Sequence, residues 1–429
     1  MLARNRPWIP AAVPVLAALA LMFLSPQPSR AIPAFARKYG VKCYTCHLIP
    51  PVLNKTGYMF KRLGYRMPPD EMDGTKPAPR ISELDNNIKF NLMNSLAVIT
   101  QGSFTAEKTA GDSPASTSSF NLDEAALFVA GALPQSNFSY FVHYELYQGG
   151  QSFLEQAVAS YTGGRANSSF FGKAGEMHAQ EGEGTRGAMF YNLFPDPSLV
   201  LTFVNPLNFS LDQHPVGVNA GYTWASPYFK QVVGISAKVT NGLNADGSEI
   251  LFNSTKNSKD AWFDADYWFG PDGGVTFMTY YGRKDQVQNQ GAPDEFTYRP
   301  TLRRYGVFGN YLFFDKLDVI GGYLRGQDDW KDMLTSTTTN LTSNGYRAEV
   351  DYYLRRGTAV MARFDRIAQK IPGGPTANTQ AWGVGGLHAL TELGNVVIRA
   401  SYNYERDADP VSGAVNTDKL FRLDLRLMW

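Results

Sequence analysis

The sequence predicts an all-β fold, a transmembrane antiparallel β-barrel of about 16 strands preceded by a small α-helical segment near the N-terminus. Three observations predict it. Only 18% of the residues are charged, whereas an ordinary soluble domain has about 25%. The chain is rich in Tyr and Gly, with 23 and 40 of 429 residues. From residue 86 onward, apolar and polar residues alternate between turn-forming stretches, which is the pattern of half-buried strands.

Residues 1–31 have the pattern of a secretory signal peptide. Two arginines precede an apolar run at 8–24, and small residues stand at the −3 and −1 positions of a cut after Ala31. A retained membrane anchor is the alternative, but the run has 17 residues and two prolines, whereas a helical span needs about 20 residues. After residue 31 no stretch of 18 consecutive apolar residues occurs. We therefore expect an exported protein that crosses a membrane with strands.

Residues 43–47 read Cys-Tyr-Thr-Cys-His and predict a site for covalently attached haem. Two thiols at this spacing can add to the two vinyl groups of one haem. Cys43 and Cys46 are the predicted attachment sites, and the adjacent His47 is the predicted axial ligand of the iron. A thioredoxin-like motif would need a βαβ context, and a zinc site would need further thiols or closely spaced histidines. The sequence shows neither pattern, so the expected cofactor is one haem c.

The sixth ligand of the haem iron is predicted to be Met67. It lies 20 residues after His47 in an extended, proline-flanked stretch that can fold back onto the iron, and a thioether ligand would raise the reduction potential. Met59 is the rival, but it shares one side of a short helical pattern with Phe60 and Leu63, where methionine more often serves core packing. A histidine ligand or an open coordination position is the third alternative.

The C-terminal residues show the strand alternation most clearly. Phe421, Leu423 and Leu425 are apolar at every second position, with charged residues between them. In a transmembrane barrel the apolar face of such a strand contacts lipid and the charged face lines a wet lumen. A soluble sandwich is the alternative, but it would rarely place charged residues repeatedly on the non-core side of strands so rich in aromatic residues. The charged residues predicted to face the lumen in this way are Asp266, Glu349, Asp351, Arg363 and Asp365.

Three hairpins resemble one another and set the spacing of the strands. Their tyrosines, Tyr267, Tyr311 and Tyr352, are 44 and 41 residues apart, and 16 strands fit between residue 86 and the C-terminus. One more pair within 180–215 would make 18. Short turns alternating with long polar loops are typical of an outer-membrane barrel, with aromatic residues beside the short turns. Short connections are expected near 133–137, 163–168, 226–228, 270–274, 314–316, 355–357 and 391–395, and long ones at 105–119, 180–215, 242–258, 285–299, 328–342 and 407–417.

The net charge of +1 conceals two oppositely charged parts. Residues 32–80 contain nine basic and three acidic residues, whereas residues 81–429 contain 28 basic and 36 acidic residues. We therefore divide the mature chain into a haem segment, residues 32–80, and a barrel, residues 81–429. Basic residues can balance the two propionates of a haem. A segment of 49 residues is also too small for a robust core of its own, so we expect it to dock against the acidic barrel.

The haem motif belongs to a longer pattern. This pattern comprises Ile-Pro-Ala-Phe-Ala-Arg at 32–37, Tyr39-Gly40, Cys-Tyr-Thr-Cys-His at 43–47, Pro51-x-Leu53-Asn54-x-x-Gly57-x-x-Phe60 and Leu63-Gly64-Tyr65. Over residues 32–67 the chain resembles the fused single-haem cytochrome–porins, whose characterised members are outer-membrane iron oxidases of Fe(II)-oxidising bacteria. The barrel resembles that family only in length and pattern.

The resemblance implies an oxidoreductase in the outer membrane of a Gram-negative bacterium, in contact with membrane lipid. It would take electrons from extracellular Fe(II), or another external donor, and pass them to a periplasmic cytochrome or copper protein. The haem segment is expected on the periplasmic side or within the lumen, since one haem cannot bridge an apolar band of about 25 Å alone. Two alternatives stay open: a diffusion porin with a structural or regulatory haem plug, and outward electron transfer to an extracellular acceptor. No nucleic-acid-binding pattern is present.

Histidines and acids supply the remaining candidates. By alternation, His143 is expected to face the lumen beside Glu145, as an ordinary polar lumen residue or a distal haem ligand. A second set flanks the long 180–215 connection, and its imidazoles and carboxylates suit Fe(II). The members of this set are His178, Glu181, Glu183, Asp212 and His214.

Overall fold

The structure, a computed structural model, describes residues 34–69, 72–85, 95–111, 114–178, 193–194, 198–200, 211, 214–241, 259–270, 273–283, 286–288, 296–298, 301–331, 338–370, 376–391, 394–408 and 415–428. The predicted signal peptide and the candidates Glu181, Glu183 and Asp212 lie outside these ranges. No helix in the described part of the chain is long and apolar enough to cross a membrane.

Sixteen antiparallel strands close into one barrel, as the sequence predicts. They are β1 (Leu96–Ala110), β2 (Ala115–Ala132), β3 (Phe138–Gln148), β4 (Gln151–Arg165), β5 (Ser168–Glu176), β6 (Val216–Ala225), β7 (Gln231–Asn241), β8 (Lys259–Phe269), β9 (Gly273–Arg283), β10 (Thr301–Phe313), β11 (Leu317–Lys331), β12 (Thr338–Arg355), β13 (Thr358–Lys370), β14 (Thr376–Ala389), β15 (Val396–Ala408) and β16 (Val415–Met428). Strand β16 pairs with β1, so no edge of the sheet is left unpaired. Strand β5 pairs directly with β6, and the alternative of 18 strands is wrong.

The strands alternate between an apolar outer face and a polar inner face. On β8, Asp266 and Trp268 are buried toward the lumen, whereas Phe263 and Tyr267 are 47% and 37% exposed on the outside. Phe421, Leu423 and Leu425 of β16 are likewise exposed, as predicted for the C-terminal strand. The five charged residues predicted to face the lumen are all buried: Asp266, Glu349, Asp351, Arg363 and Asp365. The outer surface is therefore the apolar band that a barrel presents to lipid.

The seven short connections lie where the sequence predicts them, and all belong to the same end of the barrel, called here the short-turn end. Two of the predicted long loops are wrong. Strand β1 extends to Ala110 and β2 begins at Ala115, so 105–119 is mostly strand; likewise β11 extends to Lys331 and β12 begins at Thr338. A β-ladder is formed by backbone hydrogen bonds, so strands continue through polar residues beyond the apolar band. Residue composition alone therefore predicts these strand ends wrongly.

The haem segment forms two short helices around a compact hairpin. Helix α1 (Ala34–Tyr39) is followed by a 3₁₀ turn at Cys43–Thr45, a hairpin of His47–Ile49 with Val52–Leu53, and helix α2 (Lys55–Arg62). Asn54 is the N-cap of α2 because its side-chain oxygen accepts a hydrogen bond from the Gly57 N–H at 3.0 Å. A second 3₁₀ turn at Ile81–Glu83 precedes the barrel.

This segment packs inside the lumen at the short-turn end. The ring of Tyr58 stacks on Trp268, with centroids 4.8 Å apart, and Arg62 forms a buried salt bridge with Asp266. Lys38 forms a second salt bridge, with Asp85 at 3.0 Å, and further hydrogen bonds from the segment go to backbone carbonyl oxygens. Arg66, for example, donates to the carbonyls of Ser136 at 2.7 Å and Phe138 at 3.1 Å in the β2–β3 turn.

The described residues of the long β5–β6 connection also lie in the lumen. Ser198 donates to the Asp365 carboxylate at 2.8 Å on the inner face of β13. Phe194 is buried in one apolar cluster with Ile49 and Val52 of the haem segment. The lumen is therefore occupied both by the haem segment and by parts of this connection.

Candidate functional site

A cavity of about 330 Å³ lies between the haem segment and the part of the barrel wall formed by β16 and β1–β5. It contains all four residues that the sequence predicts to hold a haem: Cys43, Cys46, His47 and Met67. Aromatic rings from both parts of the chain line its walls, contributed by Phe35, Tyr39, Phe60, Tyr65, Phe128 and Phe141. A cavity with apolar walls and a few convergent metal-binding groups is the usual form of a cofactor site.

The loop that carries the two thiols is fixed by helix α2. The Asn54 side-chain amide donates to the carbonyls of Tyr44 at 3.3 Å and Thr45 at 3.1 Å, and the Asn54 backbone N–H donates to the Cys46 carbonyl at 3.0 Å. Gly57 allows this approach, because a Cβ there would lie 2.1 Å from the Cys46 carbonyl oxygen. The two residues of the Asn54-x-x-Gly57 pattern therefore hold the Cys-x-x-Cys turn in place.

His47 is held in the orientation and protonation state that a metal ligand needs. Its Nδ1 lies 3.0 Å from the carbonyl oxygen of Pro51. A carbonyl can only accept, so Nδ1 carries the proton and Nε2 keeps its lone pair. Burial lowers the pKa of His47 to about 4, which keeps the imidazole neutral at neutral pH. The residues present therefore fit a haem with His47 as its axial ligand.

The two cysteines are free thiols and are not joined in a disulfide. Burial raises the pKa of Cys43 and of Cys46 to about 11, so both are neutral thiols at neutral pH. Basic side chains line the same cavity and can balance the charge of haem propionates. They are Lys42, Lys61, Lys173 and Arg426.

The methionines separate into two groups. Met67 lines the cavity, whereas Met59 is buried in the apolar cluster around Trp268 and does not line it. The helical pattern that assigned Met59 to core packing is consistent with this position. Sequence reasoning did not single out Met177 and Met428, which also line the cavity from the barrel side. Met428 is close to the haem motif only because the barrel closes, and the sequence contains no local pattern that predicts this proximity.

A second group of chemically active side chains adjoins the cavity. We call it the His–Glu cluster, and its members are Glu124, His143, Glu145, Glu155, His178 and His214. His143 faces the lumen, as predicted, but it does not line the cavity. Its Nε2 lies 2.8 Å from Glu145 Oε1, and its Nδ1 lies 2.7 Å from Glu155 Oε2. His214 Nε2 lies 3.3 Å from the other oxygen of Glu155, and the rings of His178 and His214 have centroids 4.1 Å apart.

Sequence reasoning missed Glu155, and a β-bulge explains why. In the β3–β4 ladder His143 pairs with Gln156, but Tyr144 pairs with Leu154, so Glu155 is an extra, unpaired residue. Gln156 lines the cavity, and strict alternation would turn Glu155 to the outer face. A bulge re-aims a side chain and often adjoins a functional site. The sequence contains no direct signal for it.

Comparison with known proteins adds to this description at the level of the fold. The chain matches no protein-family model and no curated protein. Among solved structures, it is similar to the anion-selective porin from Comamonas acidovorans, which matches 78% of this chain and 98% of its own length with a TM-score of 0.53 at 8% identity. Outer-membrane expressed OmpT of Vibrio cholerae matches 78% of this chain and 97% of its own length, with a TM-score of 0.52 at 10% identity. At such low identities the likeness shows the fold alone: a 16-stranded barrel of the porin kind.

Proposed function

We propose that the protein is an outer-membrane electron-transfer protein, in which a haem c within a porin-like barrel takes electrons from extracellular Fe(II) and passes them to a periplasmic cytochrome or copper protein. Cys43 and Cys46 would attach the haem covalently, and His47 and Met67 would bind its iron. When bound, the haem supplies a one-electron redox couple. The apolar outer surface and the closed barrel support the membrane location.

One observation carries this proposal: the neutral His47, whose Nδ1–H donates a hydrogen bond to the Pro51 carbonyl oxygen, lines the same cavity as the two thiols and Met67. Side-chain packing alone does not explain why an imidazole, two thiols and a thioether line one cavity. Asn54 and Gly57 hold the thiol loop, aromatic rings line the cavity, and the basic side chains can balance acidic groups of the cofactor. The resemblance of residues 32–67 to the cytochrome–porins supports the same function.

The position of the cavity supports a route across the membrane. The haem segment contacts the short turns, which face the periplasm in outer-membrane barrels, and the cavity extends from it along the inner faces of β1–β5. A periplasmic acceptor can then approach from the short-turn end. An external donor approaches from the opposite end of the lumen.

Stopped-flow spectrophotometry tests the proposal. Oxidised, haem-loaded protein in detergent is mixed with Fe(II), and the haem absorbance is followed. We expect complete one-electron reduction whose rate rises with Fe(II) concentration. No reduction by Fe(II) at any pH would remove iron as the donor.

A diffusion porin with a haem plug is the second candidate, because the fold is that of solved porins. Packing of the haem segment and of Phe194 and Ser198 inside the lumen argues for a narrow path. In planar bilayers the electron-transfer function predicts little conductance, whereas an open-porin conductance from the intact, haem-loaded protein would favour diffusion.

A further inference from the structure

The His–Glu cluster contains the donor set of a transition-metal site. One ligand atom each from Glu155, His178 and His214 can be chosen so that all three lie within 4.8 Å of one another. Two imidazoles and one carboxylate on one side of a metal, with the remaining positions open, is the arrangement that non-haem Fe(II) sites use. All three residues are partly exposed, so a metal from solution can reach them.

The surroundings of these three residues are built like the support of a metal site. His143 lies within hydrogen-bond distance of Glu155 Oε2, at 2.7 Å, and is stacked on Phe128, with centroids 4.0 Å apart. Glu145 contacts the other nitrogen of His143 and is 1% exposed, and its second oxygen has no hydrogen-bond partner among the described residues. Such supporting groups orient ligands and tune their basicity. The bulge at Glu155 gives an independent reason to regard the place as specialised.

The cluster also adjoins the haem cavity. His178 belongs to both, since it is one of the three donors and lines the cavity. Phe128, which stacks on His143, lines the cavity as well. The backbone of His178 is fixed by Lys238, whose Nζ donates to the His178 carbonyl at 2.8 Å. A metal bound here would therefore lie beside the cavity, on a wall that the haem segment does not provide.

We propose that Glu155, His178 and His214 form a binding site for a divalent transition metal, with His143 as a positioning residue for Glu155, and that this is where Fe(II) is held for oxidation. This inference rests on the proposed function for the identity of the metal. Glu155, His178 and His214 would hold Fe(II) while it gives one electron to an oxidised haem c in the cavity, and the Fe(III) formed would then leave these ligands.

Binding is tested with Co(II), which does not reduce haem. Nitrogen and oxygen ligands generally bind Co(II) somewhat more tightly than Fe(II), so a site for Fe(II) also binds Co(II). Isothermal titration calorimetry of the haem-loaded, full-length protein is expected to give one Co(II) per chain. His214→Ala and Glu155→Gln are expected to abolish this binding. His143→Ala is expected to weaken it about 10-fold, and His143→Gln to restore part of the loss, because an amide can still donate to Glu155.

His388→Ala is the matched control, because His388 lies on β14, outside the His–Glu cluster, and forms a hydrogen bond with Thr358 of β13. It is expected to bind Co(II) as the wild type does. The proposal is overturned if the wild type binds no Co(II), or if His214→Ala and Glu155→Gln bind it with wild-type affinity.

Stopped-flow reduction then separates this inference from the proposed function. We expect His214→Ala to need at least about 10-fold more Fe(II) for half-maximal rate, with reduction by dithionite unchanged. If Fe(II) reduces the haem of the variant as fast as that of the wild type, the proposed metal site is wrong, whereas the electron-transfer function is supported. If Co(II) binds as expected but Fe(II) reduces neither protein, the metal site stands and the electron-transfer function falls.

Discussion

The carbonyl oxygen of Pro51 lies 3.0 Å from Nδ1 of His47 and fixes the imidazole as a neutral ring with its Nε2 lone pair kept. Pro51 belongs to the hairpin that follows the Cys-x-x-Cys turn, and the same hairpin leads into Asn54, which holds that turn. One short stretch of chain therefore positions both thiols and the imidazole. The relationship gives a structural reason for the sequence pattern from Pro51 to Gly57, which follows the Cys-x-x-Cys-His motif.

Removal of the thiols tests the covalent attachment. We expect the double variant Cys43→Ser/Cys46→Ser to carry no haem through a denaturing gel, because no thioether bond can form, while the barrel still folds in detergent. Haem staining and mass spectrometry measure this. His388→Ala serves as the control and is expected to stain like the wild type; a double variant that kept covalent haem would contradict the assignment.

Met67 and Met59 are expected to behave differently when each is replaced by alanine. Met67→Ala should abolish the sulfur-to-iron absorption band and lower the reduction potential, because a thioether ligand raises it. Met59→Ala should keep the band but destabilise the haem segment by about 2–5 kcal/mol, since it removes a buried side chain. A band that survives in Met67→Ala would assign the ligand to Met177 or Met428 instead.

Gly57→Ala is expected to impair haem loading. An added Cβ would lie 2.1 Å from the Cys46 carbonyl oxygen, so α2 and the thiol loop must separate. Gly321→Ala on β11 is the matched control, because a Cβ there meets nothing within 4 Å. The ratio of haem to protein measures the effect, and equal ratios for the two variants would show that the close contact does not matter.

The salt bridge between Arg62 and Asp266 is expected to hold the haem segment in the lumen. Arg62→Met removes the cation of this buried ion pair and leaves the Asp266 carboxylate with its hydrogen bond from Thr276. Breaking a buried ion pair on one side costs about 3–5 kcal/mol, whereas replacing both partners by apolar residues is often neutral. Limited proteolysis should therefore cut the haem segment faster in Arg62→Met than in the wild type. The double variant Arg62→Met/Asp266→Leu should be cut at close to the wild-type rate; if it were cut as fast as the single variant, the salt bridge would not be what holds the segment.

The strand pattern could be predicted from the sequence because a two-residue period and the tyrosine repeats determine face and spacing. The barrel with 16 strands, its inward charges and its short turns follow from local order. Cys43, Cys46 and His47 line one cavity because they are close together in sequence. Strand ends could not be predicted at 105–119, because polar residues pair as well as apolar ones. Glu155 was missed because a bulge reverses its face, and Met428 was missed because only barrel closure brings it to the cavity.

Electron transfer across a sealed membrane tests the central claim most directly. The intact haem protein is reconstituted into liposomes that enclose an oxidised copper protein or cytochrome, Fe(II) is added outside, and the trapped acceptor is followed by its absorbance. The account predicts reduction of the acceptor with the wild type and none with Cys43→Ser/Cys46→Ser, which has no haem. An acceptor that stays oxidised with the wild type, or is reduced equally fast with the haem-free variant because Fe(II) diffuses through the pore, would contradict it.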